Sequence, residues 1–293
     1  MNKKYETKSI PAALAGITLE DYLKQELKIS ARTRQRLFHG HGILVNGKSA
    51  YSKRILKADD RVSVRQQGDS TYGLEPENGL VEVLYEDAAI IVLNKPAGVM
   101  VHPAGQTASG TLANYLAGYF SQKGQIITIR PLHRLDRDTS GCVLFAKSAA
   151  VQQALEKQLQ NGELHRVYQA LVEGQLDKPC DTLDYPIGRK PQSPNRRQVT
   201  EKGQRAVTHY RVIGQRKDCT LLEARLETGR THQIRVHFAH IGHPVLGDRM
   251  YGHRSRLINR QALHASGLEL IHPETGKTIK VEAPLPDDIR SIE

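Results

Sequence analysis

An α+β fold in two parts is what the sequence predicts. A mixed, mainly antiparallel sheet with flanking helices is expected over residues 81–288, preceded by a small α/β domain over residues 1–66. Three observations carry that expectation. Short β-rich apolar runs and helix-periodic stretches recur in mixed order along the chain. Residues 67–80, Gln-Gly-Asp-Ser-Thr-Tyr-Gly-Leu-Glu-Pro-Glu-Asn-Gly-Leu, are polar and rich in turn formers, as in a linker. Charge is uneven: residues 1–70 hold 14 Lys and Arg against 7 Asp and Glu, a net +7 of the chain's +11.

In the first part, Leu19, Tyr22, Leu23 and Leu27 recur at helical spacing behind Thr18, whose hydroxyl suits an N-cap, with Glu20 and Asp21 in the first turn. Ser30 reads as the start of a second helix, Ala31–Phe38, with Arg32, Arg34 and Arg36 spread around it and Leu37 on its buried side. Gly40 and Gly42 end it. Ile43–Val45 is a strand, Asn46-Gly47 a hairpin turn signal, and Arg61–Val64 another strand. The core of this domain runs over residues 17–66.

Beyond the linker, Val81–Tyr85 and Ile90–Leu93 read as strands, followed by a tight turn at Asn94–Gly98. Thr111–Leu116 and Ala149–Leu159 read as amphipathic helices. Leu164–Val172 alternates and is β-rich. Residues 185–205 place Arg189, Lys190, Arg196, Arg197, Lys202 and Arg205 among Pro, Ser and Asn, the composition of an exposed loop or of a clamp on a polyanion's backbone. A strand then leads to Gly229. Thr231 suits an N-cap, and Ile234, Phe238 and Ile241 follow at helical spacing until Gly242 and Pro244.

At 39% hydrophobic the chain can bury a core. A +11 balance points to a polyanionic partner. The three cysteines, Cys142, Cys180 and Cys219, form no Cys-x-x-Cys, which argues against a zinc ribbon or redox pair and suits a reducing compartment. Residues 1–6 begin no signal peptide, and no run approaches the ~18 apolar residues of a span, so a soluble, cytoplasmic protein is expected, with no membrane partner. His232, His237, His240 and His243 are zinc-like in type, yet Arg230 and Arg235 would repel a divalent cation. No metal is expected, and without a GxxxxGK[ST] or GxGxxG motif no nucleotide cofactor either.

The stretch richest in chemistry is His133-Arg134-Leu135-Asp136-Arg137-Asp138-Thr139-Ser140-Gly141. A turn-forming cluster runs into the apolar strand Cys142–Ala146, so Asp136 sits on a loop fed into the core. Arg134 and Arg137 flank it. A carboxylate in a cationic loop is a candidate nucleophile or general base. An Asp capping its own turn is the plainer alternative.

This stretch, with Ala146-Lys147 after the strand, resembles the catalytic motif of the RluA family of pseudouridine synthases. The resemblance implies that Asp136 is the catalytic aspartate. It extends along the chain in order: the Lys95-Pro96-Ala97-Gly98 turn below the site, and an Arg166-Val167-Tyr168-Gln169-Ala170-Leu171-Val172 strand whose Tyr168 would stack on the target base and move a proton. Arg166 stands where the family usually has lysine. In Gly229-Arg230-Thr231-His232-Gln233-Ile234-Arg235, one arginine would pair with the aspartate, Arg235 first and Arg230 second. Val245–Asp248 and Leu263-His264-Ala265 also fit, with Leu263 packing below the site. The first part is similar to the small RNA-binding domain named after ribosomal protein S-four, which implies that Arg32, Arg34, Arg36 and Lys48 contact phosphate.

The expected activity is therefore isomerisation of uridine to pseudouridine in structured RNA, ribosomal RNA preferred and transfer RNA the alternative. The target base must leave its stack, and Arg134 would fill the space. A monomer is expected. A metal-dependent phosphodiesterase using Asp136 and Asp138 is disfavoured by the flanking arginines and the lack of further carboxylates. A non-catalytic ribosome-assembly protein explains the charge but not the three site motifs together.

Overall fold

The computed structural model describes residues 5–27, 29, 31–65 and 69–292, apart from the side chains of Arg32 and Pro194. The Ser30 helix start, the phosphate contact of Arg32, the linker residues Gln67 and Gly68 and the first four residues lie outside the described residues. The chain divides into two compact units, Met1–Gly68 and Asp69–Glu293.

The first unit is a four-stranded antiparallel sheet of β1 (Tyr5–Ser9), β2 (Ile43–Val45), β3 (Lys48–Ser49) and β4 (Arg61–Arg65), in the order β1-β4-β2-β3. Helices α1 (Leu19–Gln25) and α2 (Ala31–His39) bury Leu19, Tyr22, Leu23 and Leu37 in one cluster with Ile43, Val45 and Val62. The Thr18 hydroxyl accepts the Asp21 amide at 3.1 Å, the expected cap. Asn46 and Gly47 both have positive φ, 53° and 78°, as a two-residue hairpin turn of this hand requires.

The second unit holds a ten-stranded sheet. Its strands are β5 (Glu82–Glu86), β6 (Ile90–Lys95), β7 (Arg130–Pro131), β8 (Ser140–Ala146), β9 (His165–Glu173), β10 (Cys180–Asp184), β13 (Val207–Gln215), β14 (Cys219–Leu226), β15 (Leu263–Ile271) and β16 (Thr278–Glu282). The order is β10-β13-β14-β9-β15-β8-β6-β5, with β16 on β15 and β7 on β8. The β15–β8 pair is parallel and all others are antiparallel. Strand β8 is buried along its length because both faces of the sheet are covered. On one face, Ile91, Leu93 and Val143 pack with Leu116 and Phe120 of α3 (Leu112–Gln122). On the other, Ile90, Val92 and Leu144 pack with Val151 and Leu155 of α4 (Ala149–Asn161). A mixed, mainly antiparallel sheet with flanking helices is thus the observed architecture, and no helix among the described residues is long and apolar enough to cross a membrane.

Three local expectations need correction. Residues 69–80 are not a free linker but part of the larger unit. The Asp69 carboxylate accepts two bonds from Arg130 and one from the Thr128 amide, the Asn114 side chain donates to the Glu75 carbonyl at 2.9 Å, and Glu77 accepts the Gly110 amide. Polar composition marks a linker only where water satisfies the polar groups, and here neighbouring loops do so. Residues 185–205 are not one loop: β11 (Ile187–Lys190) and β12 (Ser193–Val199) form a hairpin with a register shift at Arg189/Lys190. Helix α5 (Gln233–His240) has His232, not Thr231, at its N-cap, with φ 60° and no side-chain capping bond.

Candidate active site

The 132–139 loop joins β7 to β8 and carries Asp136. Leu135 plugs into the core at 5% exposure, and the Thr139 amide closes a turn on the Asp136 carbonyl at 3.1 Å. Where β8 leaves this loop, Gly141 has φ 108°, and a Cβ there would lie 2.2 Å from the Ala265 carbonyl oxygen on β15. Only glycine fits that crossing. From below, the Gly98 amide donates to the Arg137 carbonyl at 2.9 Å, and Lys95, wholly buried, donates to the carbonyls of Pro96, Val99 and Arg137 at 2.6–2.8 Å. Burial pushes Lys95 down to about 7, opposed by the charges of Asp138 and Asp136. Three carbonyls match the three protons of an ammonium, so Lys95 acts as a clamp between the Lys95–Gly98 turn and the aspartate loop. His133 wedges the other side: its Nε2 accepts the Leu144 amide at 3.3 Å, and burial, aided by Arg166, pushes it down to about 3.

Opposite the loop, α5 presents Arg235, 5% exposed. Its Nη1 donates to Asp136 Oδ2 at 2.8 Å, while Nε and Nη2 donate to the two carboxylate oxygens of Asp248 at 2.6 and 2.8 Å. Burial acts to lower Arg235, but Asp248 and Asp136 outweigh it and hold the guanidinium above the ordinary arginine range. A rigid planar fork with donors on two edges bridges two carboxylates without moving, which a lysine cannot do. Asp248 is fully buried and also accepts the amides of Met250 and Tyr251. Gln233 ties the start of the helix down: its Oε1 accepts the Thr228 hydroxyl and the Arg230 amide, and its Nε2 donates to the Val207 carbonyl.

Asp136, Arg134 and Arg235 line a cavity of about 260 Å³ together with His102, His232 and Met250. An adjoining pocket, also lined by these three, adds Tyr168, Leu263 and Arg230. Tyr168 is 6% exposed on β9, and burial raises its phenol. Leu263 is the buried first residue of β15. Arg134 is exposed and makes no hydrogen bond or ion pair among the described residues. The structure separates the two candidate arginines: Arg235 meets Asp136, whereas Arg230 is exposed and its Nε donates to the Arg205 carbonyl. Arg166 lies buried, with Nη2 on the Thr228 carbonyl.

An RNA pseudouridylate synthase family model matches residues 89–240, more than half of the chain and inclusive of Asp136, Tyr168 and Arg235.

The chain belongs to that family.

It is an RNA pseudouridine synthase of the RluA type, an isomerase. It is 42% identical over 279 residues to an uncharacterized RNA pseudouridine synthase, YhcT, of Bacillus subtilis strain 168, covering 94% of this chain and 92% of that one. It is 39% identical over 295 residues to the ribosomal large subunit pseudouridine synthase D of Nitrosomonas europaea, covering 97% and 86%. Among solved structures, human RNA pseudouridylate synthase domain containing 1 superposes with a TM-score of 0.60 at 25% identity, over 72% of this chain and 86% of that one.

Among the described residues no three or more His, Cys, Asp or Glu side chains group as a metal site would need. The four histidines diverge: His232 faces Asp136, His237 is buried between Thr208 and the Tyr185 carbonyl, His240 stands edge-on to Tyr185, and His243 bonds the Glu173 carbonyl. Two site residues carry no role in the sequence reading. Asp248 is visible there only as part of a Leu-Gly-Asp match, since its partner lies 13 residues away on a helix whose register fixes the contact. His232 is visible only as one histidine among four. Arg36 and Lys48 are exposed in the first unit, but Arg34 is already engaged, with Nε on Glu20 at 2.7 Å and Nη1 on the Ile29 carbonyl.

Proposed function

We propose that Asp136 is the catalytic residue for isomerising specific uridines in structured RNA, with large-subunit ribosomal RNA as the substrate. One observation carries the assignment of the site: Arg235 holds one oxygen of Asp136 while bracing itself on buried Asp248, and among the described residues the other oxygen of this cavity-lining side chain accepts no hydrogen bond. The reaction cleaves the N-glycosidic bond, turns the uracil and rejoins it through carbon. Both roles open to Asp136, attack on the sugar or removal of a sugar proton, need one fixed oxygen and one available oxygen. Arg134, exposed at the cavity rim, would occupy the stack that the flipped base vacates. Tyr168 and Leu263 would line the uracil, with the phenol assisting loss of the proton from the carbon that becomes bonded. In the first unit, Arg36 and Lys48 would meet phosphate. The ribosomal preference is supported by the basic first unit and by the name of the Nitrosomonas relative.

The test has two parts. Asp136→Asn should bind RNA as the wild type does, yet release tritium from 5-tritiated uridine RNA at least ~10³-fold more slowly, within the range of a lost acid–base or nucleophilic group. Near-wild-type release would remove Asp136 from the mechanism. Carbodiimide primer-extension mapping in a deletion strain should lose stops in large-subunit ribosomal RNA. Loss confined to transfer RNA would replace the substrate and keep the site.

A further inference from the structure

We propose that His232 is a positioning residue for Asp136, and that the β11–β12 hairpin sets the tautomer in which it works. The inference rests on Asp136 being the catalytic residue. It begins at the hairpin backbone. The Arg197 amide on β12 donates to the Tyr251 phenol oxygen at 2.8 Å, and the same phenol lies 2.8 Å from His232 Nδ1. Among the described residues His232 Nδ1 is the only acceptor within reach of the phenol's one proton, so the phenol donates there while it accepts from the hairpin. His232 is 15% exposed along its side chain, and burial, opposed by Asp136, holds it below its usual range, so at neutral pH it carries a single N–H. With Nδ1 accepting, that N–H is on Nε2.

Nε2 lies 3.7 Å from Asp136 Oδ1, the oxygen Arg235 does not hold. The opposite tautomer would aim a lone pair at a carboxylate, which electrostatics disfavours. At 3.7 Å the contact is one small side-chain rotation short of a hydrogen bond. Arg235 thus anchors Oδ2, and His232 limits where Oδ1 can point. A reacting group held loosely by about 1 Å forfeits roughly 10²-fold in rate. The path runs through Tyr251, whose ring also lies 5.1 Å from the Arg235 guanidinium, so the two groups that aim the carboxylate share one support.

The helix geometry agrees. His232 occupies the N-cap of α5 at φ 60°, a left-handed position uncommon for a residue with a Cβ. Its side chain does not cap the helix and is turned instead to Tyr251 and Asp136.

Tritium release and RNA binding of the full-length protein test this, with Asp136→Asn measured alongside. His232→Ala should lower kcat by about 10- to 100-fold with KM and RNA affinity unchanged. His232→Gln should recover most of that loss, since its amide nitrogen donates from near the Nε2 position. Tyr251→Phe, which keeps the ring beside Arg235, should fall between the two. In the unmodified protein, long-range nitrogen–proton NMR should find the proton of His232 on Nε2. Wild-type kcat in His232→Ala, a change in KM alone, a His232→Gln as poor as the alanine variant, or a proton on Nδ1 would each overturn the proposal. An inactive Asp136→Asn beside a fully active His232→Ala sinks this inference only. An active Asp136→Asn sinks the reading of the site and this inference with it.

Discussion

Arg235 in the larger unit and Arg36 in the smaller one carry the same charge in opposite settings. Arg235 is buried and spends its donors on Asp136 and Asp248, so its position is fixed before any substrate arrives. Arg36 is exposed and meets no partner among the described residues. A fixed charge suits chemistry, where reorganisation at the moment of reaction is costly. A free charge suits phosphate binding, where released counterions supply the affinity and geometry matters little. Arg34, two residues from Arg36 and so on a different face of α2, is tied to Glu20 and the Ile29 carbonyl.

The largest effect should come from breaking the fixed charge. Arg235→Leu leaves Asp248 buried without its partner, and uncompensated buried charges cost about 3–5 kcal/mol. Chemical denaturation should register that loss, and turnover should fall with it. A variant of unchanged stability and activity would mean that the network is ornamental.

An intermediate case is the Asp69–Arg130 pair at the start of the larger unit, part-buried on both sides. Removing residues 1–68 should leave the larger unit with its unfolding temperature nearly intact. Removing 1–80 should lower it markedly, because Asp69, Glu75 and Glu77 then no longer satisfy Arg130, Asn114 and Gly110. Equal melting temperatures for the two truncations would restore the linker reading.

The same pair has a pH signature. Burial acts to raise the Asp69 carboxyl, but Arg130 and the Thr128 amide outweigh it and hold it below the ordinary range. A depressed folded pKa gives stability that is present above the unfolded value of about 3.9 and fades as pH falls through the folded one. Asp69→Asn should therefore lower stability at neutral pH and flatten its fall on acidification. An unchanged acid limb would show that the pair contributes nothing measurable.

The smallest effect belongs to the free charges. Replacing Arg36 and Lys48 together with Gln should reduce the slope of log K against log salt by at most about two units, since each phosphate met contributes roughly 0.9 on a duplex. Adding Arg34→Gln should change the slope little and stability more. An unaltered slope for the double variant would make this face plain solvated surface.

Much of the site is legible in the sequence because its chemistry is local. The aspartate loop, the Lys95–Gly98 turn and the arginine helix are each contiguous, so turn formers next to apolar runs locate them and the family resemblance suggests their roles. What escapes is set by packing at a distance. Asp248 looks like any loop aspartate until Arg235 is seen against it. The hairpin over 187–199 reads as loop because Pro and Asn have low strand preference, yet pairing between its two arms overrides that. Residues 69–80 read as linker because composition does not reveal which polar groups find partners. Strand order is the least legible feature, since nothing local in Leu263–Ile271 says between which strands it will lie.

That placement has a consequence for when the enzyme comes into being. Strand β15 is made after β5 through β14, yet it lies between β9 and β8, bonded to Tyr168's strand on one side and to the strand leaving the Asp136 loop on the other. A nascent chain extended only to Arg260 already contains Asp136, Tyr168, Arg235 and Asp248 but lacks the strand that pairs with both β8 and β9. Pairings this distant in sequence form late and slowly. Translation therefore delivers the proposed site residues first, and the sheet that joins their strands can be completed only once residues 263–271 are made.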